Sequence, residues 1–108
     1  MNKKELAKYE ARAKVFKALA HPARLKVMDE LAQHGERCVC DLKALVGSDM
    51  STVSRHLTVL KNAGLVEVEK RGQMVFYRTT ICCLGGFTDC VEKVLAGNVK
   101  RQQAALAP

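Results

Sequence analysis

The apolar periodicity of the chain changes from helical to two at Gly64, and that switch narrows what the chain can fold into. Before it, within Asp49 to Val66, Val53, Leu57 and Leu60 recur at helical spacing and make one apolar stripe. Asp49 is a good N-cap ahead of that helix, and Gly64 is a good stop behind it. After Gly64 the period is two: Val66 and Val68 alternate with Glu67 and Glu69. Lys70-Arg71-Gly72-Gln73 reads as a turn with a basic tip, and Met74 to Arg78 as the returning strand. A short amphipathic helix therefore runs into a hairpin with a cationic end.

The polar side of that helix carries Ser51, Thr52, Ser54, Arg55 and His56 around its first two turns. Small hydroxyls and a guanidinium suit a helix that enters the DNA major groove: Ser and Thr meet phosphates or bases, and Arg pairs with guanine through two hydrogen bonds. A solvated amphipathic helix is the plain alternative, and the hairpin shifts the balance. A basic hairpin after a recognition helix is a wing, whose tip meets phosphate or the minor groove. Lys61 at the helix end, with Arg71 and Gln73 at the wing tip, completes the candidate DNA-binding set.

The rest of the chain supplies a support for this unit. Residues 3–20 read as a helix with Leu6, Tyr9, Ala13, Phe16 and Leu19 at three- and four-residue steps. Pro22 suits the first turn of a second helix carrying Leu25, Met28 and Leu31, which Gly35 ends. His21 reads as a helix-junction residue, because no partner ligand lies near it in sequence. The stretch from Glu36 to Leu42 reads as a short extended piece running into a third helix with Leu42, Leu45 and Val46 on its inner side, and Gly47-Ser48-Asp49 turns into the helix described above. Helix, short turn, helix is the helix-turn-helix arrangement. Thr79 or Thr80 is placed to cap a last helix with Leu84, Phe87, Val91, Val94 and Leu95, whose first turns Gly85 and Gly86 weaken. The expectation is a mainly α single domain over 1–108 with a small β-wing, ordered over 3–98 and frayed over 99–108. The first and last helices carry more apolar surface than so small a domain buries internally, so they are expected to pack across a two-fold axis.

Charge and size limit the partners. The formal net charge is +7, which suits nucleic acid or an anionic membrane surface. There is no Trp and no apolar run of spanning length, so double-stranded DNA is the expected partner and a membrane is not. The N-terminus lacks the apolar core of a secretory signal, and the expected location is the cytoplasm. Cys38, Cys40, Cys82, Cys83 and Cys90 are an odd number of thiols, which argues against a disulfide framework. Each alone could be a small buried hydrophobe, but Cys-Val-Cys and Cys-Cys are tight groups.

In order along the chain, Ala20-His21-Pro22-Ala23-Arg24-Leu25, Cys38-Val39-Cys40-Asp41-Leu42, Ser51-Thr52-Val53-Ser54-Arg55-His56-Leu57, Leu60 to Val66, and Arg71-Gly72 through Tyr77-Arg78 resemble the ArsR/SmtB family of winged-helix, metal-responsive repressors. The likeness spans residues 5 to 95. It implies a homodimer, an operator with two half-sites, and repression lifted when a thiophilic ion binds. Two departures matter. Members resembling the arsenite sensors often have a third Cys three positions after Cys-Val-Cys, where this chain has Lys43. Zinc sensors of the family place His on the last helix, and this chain has no His after His56.

The thiols set the expected signal. Arsenite prefers three sulfurs, whereas cadmium, lead and zinc take three or four; antimonite is a further candidate. Residues two apart diverge on a helix and share a face on an extended strand. So Cys38 and Cys40 are expected to hold one ion only if the start of the third helix is extended or becomes so. The piece before that helix is expected to pair with Met74 to Arg78, bringing Cys82 and Cys83 toward Cys38. Cys90 lies two turns beyond Cys83, a rise of about 11 Å. It therefore needs either a second subunit or a loop over 82–90 wrapped around the ion. The favoured set is Cys38, Cys40 and Cys83, with Cys90 and Cys82 behind. The expected function is a repressor released by arsenite or a related ion. A persulfide or oxidant switch of the same fold, and a Cys-x-Cys metal buffer, are the alternatives. No Cys–His spacing supports an enzyme.

Overall fold

The structure, a computed structural model, describes residues 1–107. Eight elements follow in order: α1 (Lys3–Leu19), α2 (Pro22–His34), β1 (Arg37–Cys38), α3 (Val39–Val46), α4 (Met50–Asn62), β2 (Val66–Arg71), β3 (Met74–Thr79) and α5 (Leu84–Leu106). The strands form one antiparallel sheet in the order β1-β3-β2. Arg37 pairs with Tyr77 and Cys38 with Phe76, as expected for the piece before α3. In the hairpin Val66 pairs with Thr79 and Arg71 with Met74, leaving a two-residue turn at Gly72-Gln73.

Local signals explain where the helices begin and end. Asp49 Oδ1 accepts the Thr52 N–H at 2.7 Å and so starts α4. At the other end Leu65 N–H reaches Leu60 O, and Gly64 N–H reaches Lys61 O. This hydrogen-bonded closure needs a left-handed residue, and Gly64 has φ +79°. Leu65, 4% exposed, then enters the core at the start of the wing. Gly47 at φ +73° turns α3 into α4. His21 caps α2, its Nδ1 accepting the Ala23 N–H at 3.0 Å, with Pro22 in the first turn.

The core is the space between α2, α3 and α4. Val27, Met28, Leu42, Val53 and Leu60 are fully buried, and Leu31 and Leu57 are 1% exposed. Leu25 departs from the expected pattern: it is exposed, and Val27 takes the inner position. Leu84 is the one buried residue that α5 contributes. From α1 only Ala18 and Leu19 are buried, and Leu6, Tyr9, Phe16, Phe87, Val91, Val94, Leu95 and Val99 of the two helices stay exposed within one chain. Phe16 and Phe87 touch at a centroid distance of 5.9 Å and hold α1 beside α5.

Four expectations are corrected. The segment 82–90 is not a loop: α5 begins at Leu84 and runs through Gly85 and Gly86 as helix. Thr79 and Thr80 do not cap it. Thr79 Oγ1 accepts the Ile81 N–H within the link to α5, and Thr80 Oγ1 donates to Gly64 O and ties that link to the end of α4. The tail expected to fray from residue 99 continues as helix to Leu106, because Val99 through Leu106 is mostly helix-favouring sequence without Gly or an internal Pro; Pro108 lies outside the described residues. The fourth correction is His56. Its ring packs on His21 at a centroid distance of 4.4 Å, and its Nδ1 lies 3.4 Å from Arg24 Nη1. It faces the α1–α2 junction rather than the open side of α4, because it lies next to the buried stripe.

Burial lowers the His56 pKa from the ordinary value of 6.5, and the charges of His21, Arg24 and Arg55 act in the same direction. The folded form therefore holds a neutral ring, while the unfolded chain takes up a proton at higher pH. The stability involved is present above the unfolded value and is lost as pH falls through the depressed folded value. The denaturant midpoint is expected to fall as pH drops below the ordinary histidine value of 6.5, and to fall less in His56→Gln. Equal slopes in the two proteins would place the sensitivity elsewhere.

Candidate nucleic-acid interface and thiol cleft

Burial of Val53, Leu57 and Leu60 turns the opposite side of α4 outward. Ser51, Ser54 and Arg55 are exposed there, and Lys61 is exposed at the helix end. Thr52 is half-buried beside the cap, with its N–H already committed to Asp49. The sequence-derived DNA set is therefore brought together except for His56, which belongs to the packing just described. Asp49 sits below the ordinary carboxylate pKa, chiefly through the Thr52 N–H bond. It stays an anion that holds the first turn in place.

The wing differs from the expectation of a free basic tip. Arg71 grips Glu36 with two parallel contacts, Nη1–Oε1 at 2.7 Å and Nη2–Oε2 at 2.9 Å. Its Nη2 also meets Glu69 at 2.8 Å, and the guanidinium lies 4.6 Å from the Phe76 ring centroid. Hydrogen bonds from Arg71 hold the Glu69 pKa down, and Glu69 and Glu36 push that of Arg71 up. Arg78 meets Glu67 at 2.8 Å and Glu69 at 3.4 Å. Alternate residues of β2 and β3 share a face, so Glu67, Glu69 and Arg71 stand beside Phe76 and Arg78. The cation at the tip with no carboxylate partner among the described residues is Lys70, with Gln73 exposed next to it. Sequence reasoning passed over Glu36 as the partner of Arg71. The two are thirty-five positions apart, and only the β1–β3 pairing brings them together.

The thiols divide into two groups. Cys38 closes β1 in an extended conformation and caps α3, its Sγ accepting the Asp41 N–H at 3.4 Å. Cys40 is already in the first turn of α3 and is exposed. The two nevertheless line one cleft of about 390 Å³ between the start of α3, the start of α4 and the wing. Ser54 and Gln73, both in the DNA set, line the same cleft. Cys82, Cys83 and Cys90 are exposed near or on α5 and do not line it. Cys83 occupies the cap position of α5, and the unbroken helix between it and Cys90 keeps them about 10 Å apart along the axis. Among the described residues of one chain, no three His, Cys, Asp or Glu side chains come together as a metal cage. The donors on this cleft therefore fit an ion anchored by two thiolates. A third thiolate would have to come from outside the cleft.

The comparisons agree with this architecture. Residues 21–68 match the family model described as bacterial regulatory protein, arsR family. A cadmium resistance transcriptional regulatory protein CadC homolog of Staphylococcus aureus is 44% identical over 77 residues, covering 69% of this chain and 64% of that protein, just under two thirds of its length. An arsenic resistance transcriptional regulator of Pseudomonas putida is 34% identical over 94 residues, covering 87% of this chain and 70% of that one. Among solved structures, a homodimeric winged helix-turn-helix DNA-binding domain from Mycobacterium bovis superposes with a TM-score of 0.75. It is 32% identical, with 94% of this chain and 93% of that one covered. With its elements in that order, its recognition helix and its wing, the chain is a winged helix-turn-helix protein and belongs to the arsR family of bacterial regulatory proteins.

Proposed function

We propose that the protein is a homodimeric transcriptional repressor, released from its operator when a thiophilic ion binds at Cys38 and Cys40. The observation that carries this reading is the shared cleft: two thiols open onto the same space as Ser54 of α4 and Gln73 of the wing. An ion held there lies against the elements offered to DNA, so it needs no long route to alter them. The cadmium- and arsenic-resistance relatives support an ion of this class. For arsenite, which takes three thiolates, Cys83, then Cys90 or Cys82, remains the proposed source of a third sulfur. With Cys90 far along α5, that source is the second subunit. No helix is long and apolar enough to cross a membrane, and the cytoplasm is the proposed location.

Ion binding must favour the released conformation enough to empty the operator. Moving a two-state population from almost full to almost free takes about 5.5 kcal/mol of differential affinity. Thiolate–metal bonds supply energies of that order, since structural zinc sites bind with about 10–16 kcal/mol. The exposed apolar faces of α1 and α5 support the dimer, as does the homodimeric Mycobacterium bovis domain.

Three outcomes are expected. In sedimentation at micromolar concentration the parent chain is a dimer, and Val94→Asp, which puts a charge on the α5 face, shifts it toward monomer. In operator titrations Arg55→Ala loses about 1–3 kcal/mol of discrimination against altered sites. Lys70→Ala lowers affinity for all sequences and reduces the salt slope by about one. Arg71→Ala reduces it by less, because its guanidinium must first leave Glu36. Finally, Cys38→Ser and Cys40→Ser keep operator affinity and lose release by arsenite and by cadmium. Normal release in all five single Cys→Ser variants would remove the thiol reading and leave a winged-helix dimer with another signal.

A further inference from the structure

Two methionines line the same cleft as the thiols, and no sequence motif marks them. Met50 is the first residue of α4, directly after the Asp49 cap, and Met74 opens β3 directly after the wing turn. Both are exposed, at 41% and 49%, so their thioethers are open to the cleft from solvent. The other two methionines do not compete for the space: Met28 is fully buried in the core, and Met1 is at the N-terminus. Four sulfur-bearing residues from three elements thus line one opening: Cys38 and Cys40 from the start of α3, Met50 from α4, and Met74 from the wing.

We propose that this cleft is a site for a closed-shell monovalent soft cation, Cu(I) or Ag(I), bound by the thiolates of Cys38 and Cys40 and by the thioethers of Met50 and Met74. The proposal rests on the reading of the cleft as the inducer site and adds a class of ion that the cleft takes with its own donors, without a thiolate from outside it. The donor set is the reason. Arsenite needs a third thiolate, and Cys82, Cys83 and Cys90 are not on this cleft. Zinc and cadmium accept the two thiolates, but a neutral thioether is a poor ligand for these harder divalent ions. Cu(I) and Ag(I) bond well to both kinds of sulfur. Two thiolates and one monovalent ion leave one net negative charge, which the basic chain tolerates. Methionine has three rotatable bonds beyond its backbone, so each thioether can swing inward without moving its helix or strand. Coordinated Cys38 retains lone pairs and can still accept the Asp41 N–H. Once bound, the ion ties the start of α4 to the wing through Met50 and Met74. It would set the spacing of the two elements offered to DNA.

The test uses the full chain under anaerobic, reducing conditions with Cu(I) delivered from a competing chelator. Selenomethionine-labelled protein is loaded with one equivalent of Cu(I), and X-ray absorption is recorded at the copper edge. Copper–sulfur and copper–selenium scattering are both expected, and the selenium contribution disappears in Met50→Leu/Met74→Leu. Unlabelled Met50→Leu/Met74→Leu is expected to lose Cu(I) affinity by about tenfold or more while keeping its affinity for cadmium. Copper bound by sulfur alone in the labelled parent overturns the thioether assignment directly, without reliance on any variant's folding. Equal Cu(I) affinity in parent and double Leu variant also overturns it. The failure of the repressor reading is separate. Copper–selenium scattering without release of operator DNA leaves the ion site standing and removes its role as inducer site. Release by cadmium that depends on Cys38 and Cys40, with no copper–selenium scattering, does the reverse.

Discussion

The stripe Val53, Leu57 and Leu60 against Val27, Met28, Leu31 and Leu42 is the contact on which the rest depends. Each of these side chains is at most 1% exposed. Burying one stabilises by about 1.5–3 kcal/mol relative to leaving it in water, taken as an upper figure. Helix α4 cannot roll on this support. A shift of one position is about 100° and would drive Ser54 or Thr58 into an apolar space with no hydrogen-bond partner. The outward face is therefore set by the inward one. Ser51, Ser54 and Arg55 point to solvent because three aliphatic residues between and after them do not.

That dependence explains what could be read before the structure was known. The Asp49 cap, the Gly64 exit and the change from a period of 3.6 to a period of 2 are all local, and each appears where its residues require it. The antiparallel pairing of the piece before α3 with the returning wing strand was also legible, and so was His21 as a junction residue. Five helices and a small sheet follow from signals that each span a few residues.

What was not legible depends on residues far apart in the chain. His56 stands among polar neighbours in sequence, and nothing local says that His21 and Arg24 close over it. Arg71 looks like a free cation until β1 brings Glu36 alongside. Met50 and Met74 look like ordinary apolar residues at the ends of elements, and only the fold puts them on the cleft with Cys38 and Cys40. Gly85 and Gly86 read as helix-weakening, yet α5 runs through both. Helix propensity is a weak prior, and the buried Leu84 ahead of them anchors the first turn.

The pairing on the wing changes the electrical shape of the molecule. Two guanidiniums, Arg71 and Arg78, face three carboxylates, Glu36, Glu67 and Glu69, so that sheet face is close to neutral and leans negative. Helix α1 carries six cations, Lys3, Lys4, Lys8, Arg12, Lys14 and Lys17, against Glu5 and Glu10. The net charge of +7 is therefore unevenly spread: α1 carries four net positive charges and the paired face of the wing one net negative charge. A polyanion coming within a Debye length, about 10 Å at 0.1 M salt, meets that imbalance before it touches any side chain. The attraction a polyanion feels is therefore stronger toward α1 than toward the paired face of the wing.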